Sequence, residues 1–317
     1  MIVIDDPNTF SQHQSQQAGC VATIGKFDGV HLGHQLILDQ LKAKAEERNL
    51  PALAIIIEPH PEEFFAADPK QCPARLSLID EKLELIESFG IDYACVLRFD
   101  KQLSQLSAEA YVRDILVDGL GIAAFIIGDD FRFGHQRGGD FALLQREGAE
   151  LGFEVIESAT YEHNGERISS TYVRECLEAG DFALVEQLLG RPFTLRGEVI
   201  KGQQLGSKIG FPTCNIDPER SNMPVLGVYA CEVKLNGELR PAAVNVGFRP
   251  TVQAKGGALV EAHLLDYEGD LYGQTLEILF RAKVRDEMKF DSIDALSRQL
   301  GEDIARVREL IISHDRA

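Results

Sequence analysis

Two histidines three residues apart carry the first chemical signal in this chain. They are His31 and His34, within the run Thr23–Gln35, TIGKFDGVHLGHQ. A strand-like run ends at Gly25, a glycine-containing turn follows, and a helix is expected to start near Leu32. At that spacing both imidazoles share the first-turn face of the helix. Gly33 between them lets a ligand approach the backbone. A helix N-terminus attracts phosphate, and imidazoles there can donate hydrogen bonds to a phosphate as charge builds in a transition state. The plainer alternative is a pair that caps the helix or packs. A zinc site needs a third ligand; His60 is available, but no motif places it.

Two later segments suit the same chemistry. In Arg167–Arg174, RISSTYVR, the residues Ser169, Ser170 and Thr171 stand just ahead of a helix expected to run to about Ala179. Their hydroxyls and N–H groups can hold an outgoing pyrophosphate, with Arg167 and Arg174 adding charge. A Ser/Thr run before a helix is also an ordinary N-cap. Gly128–Asp140, GDDFRFGHQRGGD, follows the apolar run IAAFII. Loops at strand carboxyl ends are where open α/β sheets bind ligands. Phe131 and Phe133 can flank a flat ring there, and Arg132 and Arg137 can contact phosphate. A surface loop with half-buried aromatics is the alternative.

The C-terminal part offers different groups. Gly197–Asn215, GEVIKGQQLGSKIGFPTCN, is punctuated by glycines and carries Lys201 and Lys208. It can wrap a nucleotide phosphate but lacks the GxxxxGK[ST] pattern. Thr213 and Asn215 present two oxygens two residues apart, which suits Mg²⁺ bound mainly through phosphate oxygens; a plain turn is the alternative. In EAHLLDYEGDLYG, Glu261, His263 and Leu265 are expected on one strand face, and an inward Glu in a barrel is costly unless paired or functional. Glu261 can accept a proton from a substrate hydroxyl, or simply face solvent on an edge strand. Asn245–Val252, NVGFRPTV, adds a loop with Arg249.

These groups need elements to position them. Up to about residue 185, short apolar runs such as Cys20–Gly25, Ala52–Ile57 and Ile122–Ile127 alternate with helical periodicity, as at His34–Arg48, Asp80–Phe89 and Phe141–Leu151. That implies a parallel sheet covered on both faces. After Gly190, strand-like runs follow one another: Phe193–Lys201, Gly227–Leu235, Arg240–Val246, Leu259–Asp266 and Leu276–Val284. They predict an antiparallel sheet or small barrel, closed by an amphipathic helix over about Ser292–Ser313. The predicted class is α/β, with a Rossmann-like domain over 1–187 and a small antiparallel barrel domain over 188–317.

Length and charge agree with two separately built units. The chain has 317 residues and a net charge of −18. Residues 1–187 carry 15 Lys/Arg against 32 Asp/Glu, and the remainder is nearly balanced. Such acidity argues against nonspecific nucleic-acid binding. Six cysteines without a CxxC suit a reducing cytosol. Neither a signal peptide nor an apolar run of about 18 residues is read, so the expectation is a cytoplasmic protein with no membrane partner.

Strand, glycine turn, HLGH and helix together resemble the nucleotidyltransferase superfamily. Taken in order, TIGKFDGVHLGH, EPHP at Glu58–Pro61, GDDFRFG, ISSTYVR, GFPTCN, GVYA at Gly227–Ala230, NVGFRPT, EAHLLD with LYG, and KVRDEMKF at Lys283–Phe290 resemble the bacterial bifunctional riboflavin kinase/FAD synthetase family over nearly the whole chain. The resemblance implies two reactions. The C-terminal module phosphorylates riboflavin with ATP, giving FMN and ADP. The N-terminal module transfers AMP from ATP to FMN, giving FAD and pyrophosphate. Mg²⁺ is the implied metal and ATP the co-substrate.

The resemblance also implies roles. Glu261 is the kinase base, and Thr213 and Asn215 are the Mg²⁺ ligands. His31 and His34 polarise the α-phosphate. Gly25, Phe27, Asp28 and Gly33 join Arg167, Ser169, Ser170, Thr171 and Arg174 around the adenylyl-donor ATP. Asp130, Phe131 and Arg132 lie at the flavin of that module, Asp130 standing where some members have Asn. In the kinase, Gly202, Gly206, Lys208, Gly210, Phe211 and Pro212 are implied at the ligands, as are Tyr229, Arg249 and Arg285. Ser207 replaces a common Arg, with Lys208 beside it, and Lys26 replaces a common Asn. Two competing readings are an adenylyltransferase with another acceptor, against which the C-terminal motifs argue, and a flavin-binding regulator without activity, which would lack HLGH or PTCN.

Overall fold

A computed structural model describes residues 1–13, 19–128, 130–202, 206, 210–248 and 258–314. The chain divides into two compact units. One is Met1–Cys72 with Ser77–Ser169; the other is Pro73–Leu76 with Ser170–Ala317.

In the first unit, β1 (Ile2–Ile4), β2 (Cys20–Gly25), β3 (Ala52–Glu58), β4 (Tyr93–Arg98), β5 (Ile122–Gly128) and β6 (Glu154–Ser158) form a parallel sheet ordered β1-β4-β3-β2-β5-β6. Neighbouring residues serve opposite faces. Leu53 and Ile55 enter one core cluster, and Ala52, Ala54 and Ile56 the other. Both faces are buried, so the strands read as continuous apolar runs. The helices α1 (Leu32–Arg48) and α3 (Ile79–Ser88) cover one face through Leu38, Leu41, Ala45 and Ile86. The opposite face receives Val112 and Leu116, and Leu144 of α4 (Phe141–Leu151). The short α2 (Pro61–Phe65) follows β3. A small hairpin, β7 (Glu162–His163) with β8 (Glu166–Arg167), precedes the end of the unit.

In the second unit, α5 (Ser170–Ala179) and α6 (Phe182–Leu189) come before six antiparallel strands. These are β9 (Thr194–Ile200), β10 (Cys214–Asp217), β11 (Gly227–Leu235), β12 (Glu238–Phe248), β13 (Ala258–Leu264) and β14 (Thr275–Arg285), closed as β10-β13-β12-β11-β14-β9. The long helix α7 (Ile293–His314) seats Val307 and Ile311 against Ala230, Ala243 and Ala282. The Ser292 hydroxyl accepts the Ala295 N–H and starts that helix.

Strand β10 lies outside the strand runs expected from the sequence, and it is the piece that closes the barrel. The two compact units part between Ser169 and Ser170. In the second, Phe182 of α6 stacks on Phe280 and meets Tyr229 edge-on, at ring separations of 6.0 and 5.5 Å. Among the described residues, no helix is long and apolar enough to cross a membrane.

Candidate active sites

In the first unit the turn after β2 is tightly built. Phe27, Gly29 and Val30 all have positive φ. Ser77 locks the turn: its N–H donates to the Asp28 carboxylate (3.1 Å), and its hydroxyl accepts the Gly29 N–H (2.8 Å). Phe27 and Asp28 are each 1% exposed. Their side chains pack within the turn and the core.

His31 is the N-cap of α1. Its Nδ1 accepts the His34 N–H at 3.3 Å. An accepting Nδ1 places the proton of the neutral ring on Nε2. The two imidazoles stack, with centroids 3.8 Å apart and planes 18° apart. A methyl group on Gly33 would lie 3.2 Å from the His31 ring and 3.4 Å from the Ile168 carbonyl, so glycine is what fits between the histidines. Burial, helped by His31, Lys82 and Lys26, holds the His34 imidazole well below its usual value of 6.5. His34 is thus neutral at physiological pH, and its buried Nδ1 has no hydrogen-bond partner among the described residues.

The expected flavin loop holds together differently. Phe131 and Phe133 stack on each other at 5.4 Å. Arg132 donates to the Phe131 carbonyl, and Asp130 pairs with Arg167 at 2.9 Å. The sequence reading missed another aromatic group. Phe64, Phe65 and Phe99 meet edge to face, with centroids 5.1–5.8 Å apart, at the carboxyl end of the sheet. Phe65 is 67% exposed.

The motif Arg167–Arg174 spans the change of unit. Ser169 ends the first unit, while Ser170, Thr171 and Arg174 belong to α5 in the second. There the Arg174 Nε donates to the Ala74 carbonyl at 2.6 Å.

In the barrel, strand register gathers the polar groups. Asn215 on β10 and Asn245 on β12 both stand directly opposite Glu261 on β13. Directly opposed side chains lie about 4.5–5.5 Å apart, so the carboxylate is flanked by two amides. Val260, Ala262 and Leu264 are buried on the other face of β13, which leaves Glu261 and His263 on the outer face. These two, with Thr213, Asn245 and Arg285, line a cavity of about 330 Å³ whose apolar wall includes Leu296, Leu300 and Ile304 of α7. A second cavity, of about 120 Å³, is lined by Val199, Cys214, Tyr267, Leu271 and Tyr272. Thr213 lines both. Asn245 escaped the sequence reading because only strand register reveals its place.

The glycine-punctuated segment supports this site. A methyl group on Gly202 would sit 1.9 Å from the Asn215 amide nitrogen. Gly210 has φ +86°, and the Gly206 carbonyl accepts the Phe211 N–H. The Pro212 carbonyl accepts from the His263 ring at 2.7 Å. Arg285 lines the larger cavity while making a two-pronged bridge to the buried Asp303 of α7. Tyr229 is 1% exposed, bonds the Leu226 carbonyl and packs on Phe280. Lys208, its neighbour Ser207, and Arg249 lie outside the described residues.

Two families match in tandem, FAD synthetase over residues 13–172 and riboflavin kinase over residues 189–311. The bifunctional riboflavin kinase/FMN adenylyltransferase of Pseudomonas fluorescens is 45% identical over 295 residues, covering 93% of this chain and 94% of its own. The chain belongs to that family. The Escherichia coli K12 protein of the same description is also 45% identical, over 93% and 94% of the two chains. In Haemophilus influenzae the relative is 42% identical over 90% and 92%. A crystal structure of a protein from Streptococcus pneumoniae, described there as a macrolide-efflux protein, superposes with a TM-score of 0.83 at 26% identity, over 97% of this chain and 99% of that one. The family places this chain among the ATP-using transferases, with its FAD synthetase part first and its riboflavin kinase part second.

Proposed function

We propose that the barrel unit phosphorylates riboflavin to FMN and that the HLGH unit adenylylates FMN to FAD, each with ATP. The observation that carries this is the convergence of Thr213, Asn245 and Glu261 on one flavin-sized cavity within the part that matches riboflavin kinase.

In the kinase, Glu261 takes the proton of the riboflavin 5′-hydroxyl as its oxygen bonds to the γ-phosphorus and ADP leaves. Phosphoryl transfer of this kind depends on positioning and charge neutralisation. Riboflavin fits the larger cavity, with its ring along the α7 wall, and the nucleotide fits the smaller one. Thr213, common to both, marks where the phosphate passes. The Thr213 hydroxyl and the Asn215 amide are neutral, hard oxygen donors, and the Asn215 side chain is held by its contact with Gly202. That set fits Mg²⁺, which takes its remaining oxygens from phosphate and water and supplies charge neutralisation.

In the adenylyltransferase, an FMN phosphate oxygen bonds to the ATP α-phosphorus and pyrophosphate leaves. His31 and His34 act on the α-phosphate at the α1 N-terminus. Ser169, Ser170, Thr171 and Arg174 match the family's phosphate segment and keep that role. The exposed Phe64 and Phe65 with the half-buried Phe99 supply an aromatic platform beside the Phe131–Phe133 stack. Six free cysteines support work in a reducing cytoplasm.

Incubation of the full chain with riboflavin and Mg-ATP is the test. FMN appears first and FAD follows, identified by mass; FMN without FAD, or neither product, overturns the assignment. Asn245→Leu removes an amide beside Glu261 and leaves the buried face of β12 intact. It lowers kcat/KM for riboflavin phosphorylation about ten- to a hundredfold, the scale of a hydrogen bond to a charged group. FAD formation from supplied FMN stays at the wild-type rate.

A further inference from the structure

The helix α3 turns its apolar side inward with Ile79, Leu83 and Ile86 in one core cluster, and Lys82 stands in the same stripe. This lysine is 0% exposed. A buried ammonium is costly unless paired, and here two partners are arranged for it. Its Nζ lies 2.9 Å from His60 Nε2 and 3.4 Å from Glu58 Oε2. Glu58 ends β3, and His60 stands just ahead of α2. Both come from the EPHP segment, which has had no role so far. Lys82 also acts electrostatically on His34, together with His31 and Lys26. An apolar side chain would fill this core position at less cost. Where a sequence breaks its own burial pattern this way, the site nearby is the usual reason.

Resting on the assignment of His31 and His34 to adenylyl transfer, we propose that Lys82 is a positioning residue for that reaction: held by Glu58 and His60, its ammonium fixes the His60 ring and places a buried positive charge beside the EPHP segment. As the FMN oxygen bonds to the α-phosphorus and the bond to pyrophosphate breaks, negative charge moves onto the leaving oxygen. A fixed cation in a water-poor interior favours that movement more than a mobile surface charge does. It matters more in a domain that is acidic overall. Burial above all, with His31 and then Lys82 adding to it, keeps a proton off His34.

The test uses Lys82→Met and Lys82→Gln in the full chain. Methionine fills the core position without charge, and glutamine keeps a donor for His60 without charge. In both, kcat for FAD formation from FMN falls at least tenfold, KM for FMN stays within twofold, and riboflavin phosphorylation is unchanged. The unfolding midpoint of the methionine variant is at or above that of the wild type. A folded variant that makes FAD within twofold of the wild-type rate overturns the proposal. So does unfolding of the first unit in both variants, because the lysine is then a structural plug. His31→Asn, measured in parallel, keeps the failures apart. If it is inactive while Lys82→Met is active, only Lys82 loses its role; if it is fully active, the histidine assignment falls and this proposal with it.

Discussion

Glu261→Gln stops riboflavin phosphorylation while FAD formation from supplied FMN continues at the wild-type rate. General-base catalysis contributes about 10²–10⁴-fold, and the kcat of the kinase reaction falls by that amount. Glutamine keeps the shape and one hydrogen-bonding oxygen but cannot take a proton at neutral pH. The fold is not at risk, because the buried face of β13 is made by Val260, Ala262 and Leu264. Glu261 stands on the other face, between Asn215 and Asn245 in the strand register. Neighbouring amides hold a carboxylate in place while lowering its basicity less than the positive charge of an Arg or Lys at either position would. Following FMN and FAD separately by chromatography gives both rates from one preparation. Loss of both reactions in a folded protein, or retention of both, rules out Glu261 as the base.

The limits of legibility follow the same physics. Helix α4 and strand β11 were readable to the residue, because a 3.6-residue stripe or a long apolar run is a local signal. Strand β10 was not: Cys214–Asp217 is four residues with two polar side chains, and only closure of the barrel makes it a strand. Glu261, Thr213 and Asn215 were visible as chemistry-bearing types, yet Asn245 was not, since its place beside Glu261 is a fact of pairing between strands. Tyr229 and Phe27 lie inside recognisable motifs, yet their near-complete burial is a fact of packing that residue type does not announce. Lys82 was invisible because periodicity counts apolar residues and passes over a charge in their midst. The packing of α6 was equally hidden: it looks like the last helix of an α/β alternation, but Phe182 finds its partners on the barrel.

His31→Asn carries the largest expected effect in the other unit. FAD formation from FMN falls about 10²–10³-fold, the loss expected when one preorganised donor to a developing oxyanion is removed. Riboflavin phosphorylation is unaffected. Asparagine is chosen because His31 has two jobs. As N-cap it accepts the His34 N–H, and Asn caps as well as any residue, so the start of α1 survives. His31→Ala gives up the cap too, lowering stability by about 1 kcal/mol, and confounds the two roles. A variant that keeps its unfolding midpoint and loses only FAD formation separates chemistry from capping; one that keeps FAD formation within threefold returns His31 to a purely structural part. The neighbouring His34 gives the reaction its pH behaviour. Its folded-state value lies well below 6.5, so it stays neutral as pH falls through 6.5, and the FAD-forming rate shows no loss there from its protonation. The unfolded chain does bind that proton near 6.5. Stability therefore declines as pH drops from about 6.5 toward the folded value, and the His34→Ala variant lacks that decline.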